Sequence, residues 1–499
     1  MEEYAHENII NKLGPDFLGI YRNNGEDLEF YNFICGSWKP SKTEATMEIV
    51  SALSGKKIAY VQRSEEEDVK EAVDCAYSAR SMIYSIPAIK RVEMLKEAAK
   101  RLEANKEDFI NMLIINAAKT AELAEGELNS TINRILLSLE DFSKAVGEYI
   151  PGDWSLDKTK KNAIISREPL GVVACISSFN YPLLSMASKI VPALIAGNSV
   201  VAKPASDDPI VAIMFTRMLE FAGFPPGSVN LITGPGKTIG DAIAKSDKIR
   251  MITMTGSTET GKHITSVCGI KRLHLELGGK AAAIVAPDAD INLAAEKILE
   301  GSLRYSGQRC DAISRVLAAK EIHKELVDKL LKGIDSYIYG DPFNKRTKIL
   351  PLINEKAAEK VESLVKDAVE AGAILLKGGH RNKNFFEATL IDNVPLTARI
   401  AWEETFGPVV SIIEVENVEK AVEISNMSEY GLDACVFSKS FDTAMKIAKS
   451  LEDGSVTIND MPSHGVGYFP FGGNKNSGLG REGIAYSIEE MTRLKTLQF

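Results

Sequence analysis

Several things are scarce in this 499-residue chain, and each scarcity removes a class of protein. There are only six cysteines, Cys35, Cys75, Cys175, Cys268, Cys310 and Cys435, and none forms a C-x-x-C pair. The expectation is therefore reduced thiols, with neither a disulfide framework nor a zinc site. The six histidines form no H-x-x-x-H cluster, so no bound metal is expected. No window approaches the roughly 20 apolar residues of a membrane helix, which argues against a bilayer-spanning chain. Positive charge is in deficit: a formal net charge of -9 leaves no basic stripe for nucleic acid. The opening MEEYAHENIINKLG has acids where a leader needs a basic flank, and it lacks an apolar centre. A cytoplasmic address is the expectation.

What is present is enough chain for two or three domains, each with its own core. From Glu66 to Val146 apolar residues recur at three- and four-residue spacing with charges between, which predicts a helical layer. Beyond Pro169 short apolar runs, LGVVACISS, SVVAKP, SVNLIT, IRMITMTG and LHLELGG, alternate with helical stretches and predict a parallel sheet. A second alternating series follows Asp290, through ISRVLAA, PVVSIIEVE, LDACVFS and SVTIND. The fold class is thus α/β with two domains, the change falling between Glu276 and Lys280. The segment YIPGDWSLDKTKKNAIISREP reads as an exposed hairpin, with the final LKTLQF as its partner strand.

Two glycine patterns mislead. GPGKTIG, Gly234 to Gly240, follows a strand and opens a helix, but its spacing fits neither G-x-G-x-x-G nor the P-loop, where Leu231 replaces the first glycine. ATP chemistry is disfavoured. The literal G-x-G-x-x-G from Gly478 to Gly483 follows a loop and is read as turn-rich chain. Other positions carry chemistry. Thr255, Gly256 and Ser257 end a strand and enter a helix, where backbone N–H groups and a small hydroxyl hold either a pyrophosphate or merely the helix cap. Lys203 ends a strand above the sheet, as a ligand cation or a solvated lysine. Cys310 lies in YSGQRCDA beside Arg309, a setting in which a cation stabilises the attacking thiolate; the alternative is a small buried residue, the reading given to the other five cysteines. Glu276 interrupts an apolar strand before two glycines, so burial raises its pKa toward that of a useful base, unless it is a salt-bridged strand end. Asn180 in SSFNYP suits an Asx turn or an amide donor to an oxyanion.

Taken together and in order, FNYP, AGNSVVAKP, FPPGSVNLITG, TGST, LELGGK, GQRC, EETFGPV and PFGGNKNSGLGREG resemble the aldehyde dehydrogenase superfamily over nearly the whole chain. The resemblance implies Cys310 as nucleophile, Glu276 as the base that activates water, and Asn180 with the Cys310 N–H as oxyanion hole. It implies Lys203 and Ser257 at the adenosine ribose and pyrophosphate, and Glu404 and Phe406 at the nicotinamide ribose. The implied architecture is a variant Rossmann cofactor domain (1–145 and 166–276), an α/β catalytic domain (277–470) and a small β oligomerisation arm (146–165 and 484–499), assembled as a homotetramer.

Within that family, YSGQRCDA and INDMPSHGVGYFPFGG are most similar to the archaeal non-phosphorylating glyceraldehyde-3-phosphate dehydrogenases, which implies a phosphorylated aldehyde. Arg309, Tyr181, Arg134 and His464 are the candidate groups around such a substrate. Succinic or aminoadipic semialdehyde, whose carboxylate could use the same arginine, is the competing substrate. Ser206 stands where NAD-preferring relatives resemble one another in carrying glutamate, so NADP is expected to be accepted along with NAD. A non-enzymatic protein of this fold has no need of nucleophile, base and amide together, and transfer of the acyl group to coenzyme A is disfavoured by a base that activates water.

Overall fold

The computed structural model describes residues 13–25, 27–141, 147–154, 161–464 and 467–499. The helical run resolves into α1 (Glu66–Ser85), α2 (Ala88–Ala104), α3 (Lys106–Ala117) and α4 (Ala121–Asp141), and its last residues, 142–146, lie outside the described ones. A capping box starts α1: the Asp68 side chain accepts from the Glu65 N–H at 2.9 Å, and three acids occupy the first turn, where the helix dipole favours them. Val69, Ala72, Val73 and Ala76, at helical spacing, are the face that α1 buries against the sheet.

That sheet is built on β1 (Val172–Ile176), β2 (Ser199–Lys203), β3 (Val229–Leu231), β4 (Ile249–Thr255) and β5 (Arg272–Glu276). They are mutually parallel in the spatial order β5-β4-β1-β2-β3, flanked by short antiparallel strands, Gly478–Leu479 on one side and Asn32–Ile34 followed by the edge strand Ser37–Lys39 on the other. Reversal of direction at β1 makes this a doubly wound sheet, whose ligands sit at the carboxyl ends of the strands. Helices α5 (Pro182–Ala196) and α6 (Thr258–Val267) follow β1 and β4. The chain then crosses at Gly278–Gly279 into a second parallel sheet of β6 (Ala281–Val285), β7 (Ile313–Ala319), β8 (Thr389–Asp392), β9 (Val409–Val415), β10 (Asp433–Phe437) and β11 (Ser455–Ile458), ordered β8-β9-β7-β6-β10-β11. Apolar clusters cover both of its faces.

The expected hairpin forms: Glu148–Ile150 pairs with Ala163–Pro169, and β12 (Thr492–Gln498) pairs along the whole of the latter. This strand runs on to Pro169, beyond the expected end of the arm at 165. Of the expected 484–499 portion only β12 lies in the arm, because Ile484–Glu490 forms a helix, α7, whose Ile488 belongs to the core over the first sheet.

One expectation fails outright. Cys35 and Cys75 are joined as a disulfide, with Cα atoms 5.6 Å apart, and are not reduced buried thiols. Their sequence separation of 40 gives no local signature, and they meet only because α1 packs against the turn that follows Asn32–Ile34. Among the described residues no helix is long and apolar enough to cross a membrane.

Candidate active site

The carboxyl ends of the first sheet and the seam to the second bring most of the singled-out residues together. Gly278 and Gly279 are the joint. A Cβ on Gly278 would stand 2.8 Å from Glu404 Oε1, and one on Gly279 would collide with the Cys310 carbonyl. Only glycine lets the end of β5, the Cys310 loop and the Glu404 loop approach so closely. The Gly279 N–H donates to Glu404 Oε1 at 3.0 Å, fixing that carboxyl against the joint.

Glu276 is buried, and burial, reinforced by the Glu482 carboxylate, pushes its carboxyl well above the usual range. It is therefore not a salt-bridged strand end. Cys310, a free thiol and partly exposed, is close enough to feel this charge. Asn180 is buried, and its Nδ2 donates to the Gln308 carbonyl at 3.0 Å, which ties the turn after β1 to the loop holding Cys310. The position of that turn is set from α4. Glu127, paired with the buried Lys119 at 2.6 Å, accepts from the Leu183 and Leu184 N–H groups at 2.9 and 3.1 Å and so caps the start of α5.

Arg309 favours the Cys310 thiolate as the sequence implies, but its effect is outweighed. Its guanidinium donates to Asp311 at 2.7 Å and to the Pro462 carbonyl at 3.0 Å, so its charge is largely spent. Burial pushes the Cys310 thiol well up, Asp311, Asp433 and Glu276 add to the rise, and Arg309 only opposes it. Arg309 Nη1 is buried without a hydrogen-bond partner among the described residues. His464 faces Asp311 at 3.2 Å and Asp433 at 3.4 Å, and these carboxylates hold it protonated up to about 9. Tyr181 is raised to about 12 by burial and lies under the Lys119 ammonium, 4.1 Å from the ring centroid. Arg134, on α4, pairs with Glu482 at 3.0 Å and lies beside Gly467, on the chain that leads from the His464 loop.

The cofactor candidates line the strand ends. Lys203 is 6% exposed, and among the described residues its ammonium donates only to the neighbouring Pro204 carbonyl. It is not a solvated surface lysine. Burial pulls it down to about 8. A buried ammonium with no carboxylate in ion-pair reach among the described residues fits an anionic or hydroxyl-rich ligand. Ser206 donates to the Gly234 carbonyl at 3.1 Å. Thr255 accepts from Lys189 at 2.7 Å, the Gly256 N–H donates to the Glu276 carbonyl at 3.0 Å, and Ser257 caps α6 by accepting from the Thr260 N–H. Phe406 takes a left-handed backbone, φ 53°, with its ring edge-on to Phe179.

Residues 38–497 match the model of the aldehyde dehydrogenase family. The chain belongs to that family. This aldehyde dehydrogenase is 41% identical over 473 residues, 94% of its length and 98% of the relative's, to an NADP-dependent glyceraldehyde-3-phosphate dehydrogenase of Streptococcus equinus. Among solved structures it resembles the NADP-dependent glyceraldehyde-3-phosphate dehydrogenase of Bacillus halodurans complexed with NADP, with a TM-score of 0.92 and 38% identity, covering 94% and 98% of the two chains. It also resembles a glyceraldehyde-3-phosphate dehydrogenase of Methanocaldococcus jannaschii complexed with NADP, TM-score 0.86 and 35% identity, covering 91% and 98%.

Several residues of the dehydrogenase escaped the sequence reading. Asp311 and Asp433 set the charge around Cys310, Lys189 and Glu482 surround Glu276, and His274 touches it. Asp311 and His274 were within reach, one adjacent to Cys310 and the other two residues from Glu276 on the same strand face. Lys189, Glu482 and Asp433 are remote in sequence and gave no signal.

Proposed function

We propose that this aldehyde dehydrogenase oxidises glyceraldehyde 3-phosphate to 3-phosphoglycerate with NADP, through a thioester on Cys310 and without forming an acyl phosphate. The observation that carries the reading is the joint at Gly278–Gly279, which holds a free cysteine, a buried carboxyl of raised pKa and an amide donor at one seam.

Cys310 loses its thiol proton to solvent, its sulfur adds to the aldehyde carbon as the carbonyl π bond opens, and the oxyanion is held by the Asn180 amide and the Cys310 N–H. The chemistry that a bound nicotinamide supplies is acceptance of the hydride, which leaves a thioester. Glu276 then takes a proton from water, the resulting hydroxide adds to the acyl carbon, and the carbon–sulfur bond breaks to release the carboxylate and the cysteine. Lys203, Ser206, Thr255, Gly256 and Ser257 would hold the adenosine side of the cofactor, and Glu404 and Phe406 the nicotinamide ribose. Serine at 206 leaves room beside Lys203 for a 2′-phosphate, which a carboxylate would repel, so NADP is favoured while NAD remains usable. Arg309 Nη1, His464, Tyr181 and Arg134 would receive the substrate phosphate.

A carboxylate would satisfy Arg309 Nη1 as well as a phosphate, and this favours succinic or aminoadipic semialdehyde as the second reading. The domain limits of the sequence reading stand as part of the proposal, with the arm redrawn to Glu148–Pro169 and β12. Exposed Ile164, Leu494, Leu497 and Phe499 on that arm support a homotetramer, placed in the cytoplasm and in glycolysis.

The test is reduced-cofactor absorbance with glyceraldehyde 3-phosphate and NADP or NAD, in the absence of inorganic phosphate. One 3-phosphoglycerate per reduced cofactor is expected, with Cys310→Ser inactive. Turnover of a semialdehyde alone would replace the substrate, and silence across an aldehyde panel would refute the reading.

A further inference from the structure

Glu276 has a companion on its strand. Alternation along β5 puts Leu273, Leu275 and Leu277 into the apolar cluster on one face and leaves His274 and Glu276 on the other. His274 is 1% exposed, with Nε2 3.0 Å from Glu276 Oε1 and Nδ1 3.3 Å from Thr253 Oγ1 on β4, its register partner. Among the described residues this ring is the one hydrogen-bond partner of the Glu276 carboxyl, and Oε2 has none. An imidazole needed only for packing has no reason to turn Nε2 onto the oxygen of the base while Nδ1 is held by Thr253.

We propose that His274 is a positioning residue for thioester hydrolysis. The Thr253 hydroxyl donates to Nδ1, which fixes the proton on Nε2, and Nε2–H donates to Glu276 Oε1. The carboxyl is thereby held in one rotamer, with Oε2 left to take the proton from water. During hydrolysis the proton passes from water to Glu276, hydroxide bonds to the acyl carbon and Cys310 departs, while His274 neither gains nor loses a proton. The inference rests on the reading of Glu276 as base.

The groups facing the ring agree with a neutral donor. Glu482 and Glu490, the latter at 3.9 Å, favour its protonation, whereas Lys189 and Arg134 oppose it. Burial is the largest influence and lowers the imidazole, so the ring carries no charge. A neutral donor stabilises the ionised form of Glu276 more than the protonated form. Removing it pushes the carboxyl further up, and hydrolysis, which needs the carboxylate, then switches on at higher pH.

p-Nitrophenyl acetate separates the steps without any cofactor. The burst of p-nitrophenolate reports acylation of Cys310, and the slow phase reports hydrolysis of the acyl-enzyme. In His274→Leu the burst is expected to persist, while the slow phase falls about tenfold at neutral pH and its midpoint rises by about one unit. His274→Gln, whose amide reaches the same oxygen, should restore most of the rate. Thr253→Val should move the midpoint the same way by less, and it carries the test if the leucine variant does not fold. Burst and slow phase slowed equally, or a midpoint unmoved in the variants, would make His274 a packing residue. A wild-type burst that survives Cys310→Ser would overturn the underlying reading instead, and this inference with it.

Discussion

The charges around Cys310 are arranged against its ionisation in the resting protein, because Asp311 absorbs the one adjacent cation. Asp311→Asn should therefore release Arg309, lower the thiol pKa and speed iodoacetamide alkylation of Cys310 at pH 8. The same change leaves a guanidinium buried without its partner, so chemical denaturation should show a loss of about 3–5 kcal/mol. Slower alkylation in a folded variant would contradict the assignment. His464 gives the opposite pH sense. Its folded pKa is raised to about 9 from 6.5, so the stability it contributes is complete below about 6.5 and is lost as pH rises through about 9. The KM for a phosphorylated aldehyde should climb over the same interval in the wild type and lose that dependence in His464→Gln.

Among the elements, the loop before Cys310 concentrates backbone strain. Tyr305, Ser306 and Gly307 take left-handed backbone in succession, φ 53°, 52° and 71°. The turn is pinned by the Tyr305 hydroxyl on the Ala117 carbonyl and the Ser306 hydroxyl on the Leu350 carbonyl, both at 2.7 Å. At Gly307 a Cβ would strike the Gly407 carbonyl, so Gly307→Ala should cost on the order of 2 kcal/mol or more and depress acylation of Cys310 beyond that. Unchanged stability and burst amplitude would show that the strain is tolerated. The sequence disclosed this region unevenly. The parallel strands were legible because burial on both faces makes them continuous apolar runs. The N-terminal strands Tyr21–Asn24 and Asp27–Phe30 were silent, since YRNN and DLEF are short, polar and without period. Cys310, Glu276 and Asn180 stood out by residue type and context. That Arg309 is spent on Asp311 was not legible, because pairing is decided by rotamers and by a carbonyl 153 residues away.

At the scale of the whole molecule, two covalent or assembly features invite measurement. Alkylation of the denatured, unreduced protein should label four cysteines, and six after reduction; six labels before reduction would dissolve the Cys35–Cys75 bond. Closing a loop of 40 residues should contribute roughly 4 kcal/mol, so reduction should lower the Tm. Removal of 492–499 takes away β12 and bares the long edge of Ala163–Pro169, and light scattering should then report a smaller assembly.

The crossing at Gly278–Gly279 has a wider consequence. The base comes from one half of the molecule and the nucleophile from the other, and only four residues, Leu277 to Lys280, two of them glycines, separate the ends of their sheets. Any tilt of one half against the other is therefore read out as a change in reaction geometry. Mutations far from the centre that loosen the packing between the halves should slow turnover before they unfold anything, and selection for catalytic rate in this chain is also selection for the alignment of its two lobes.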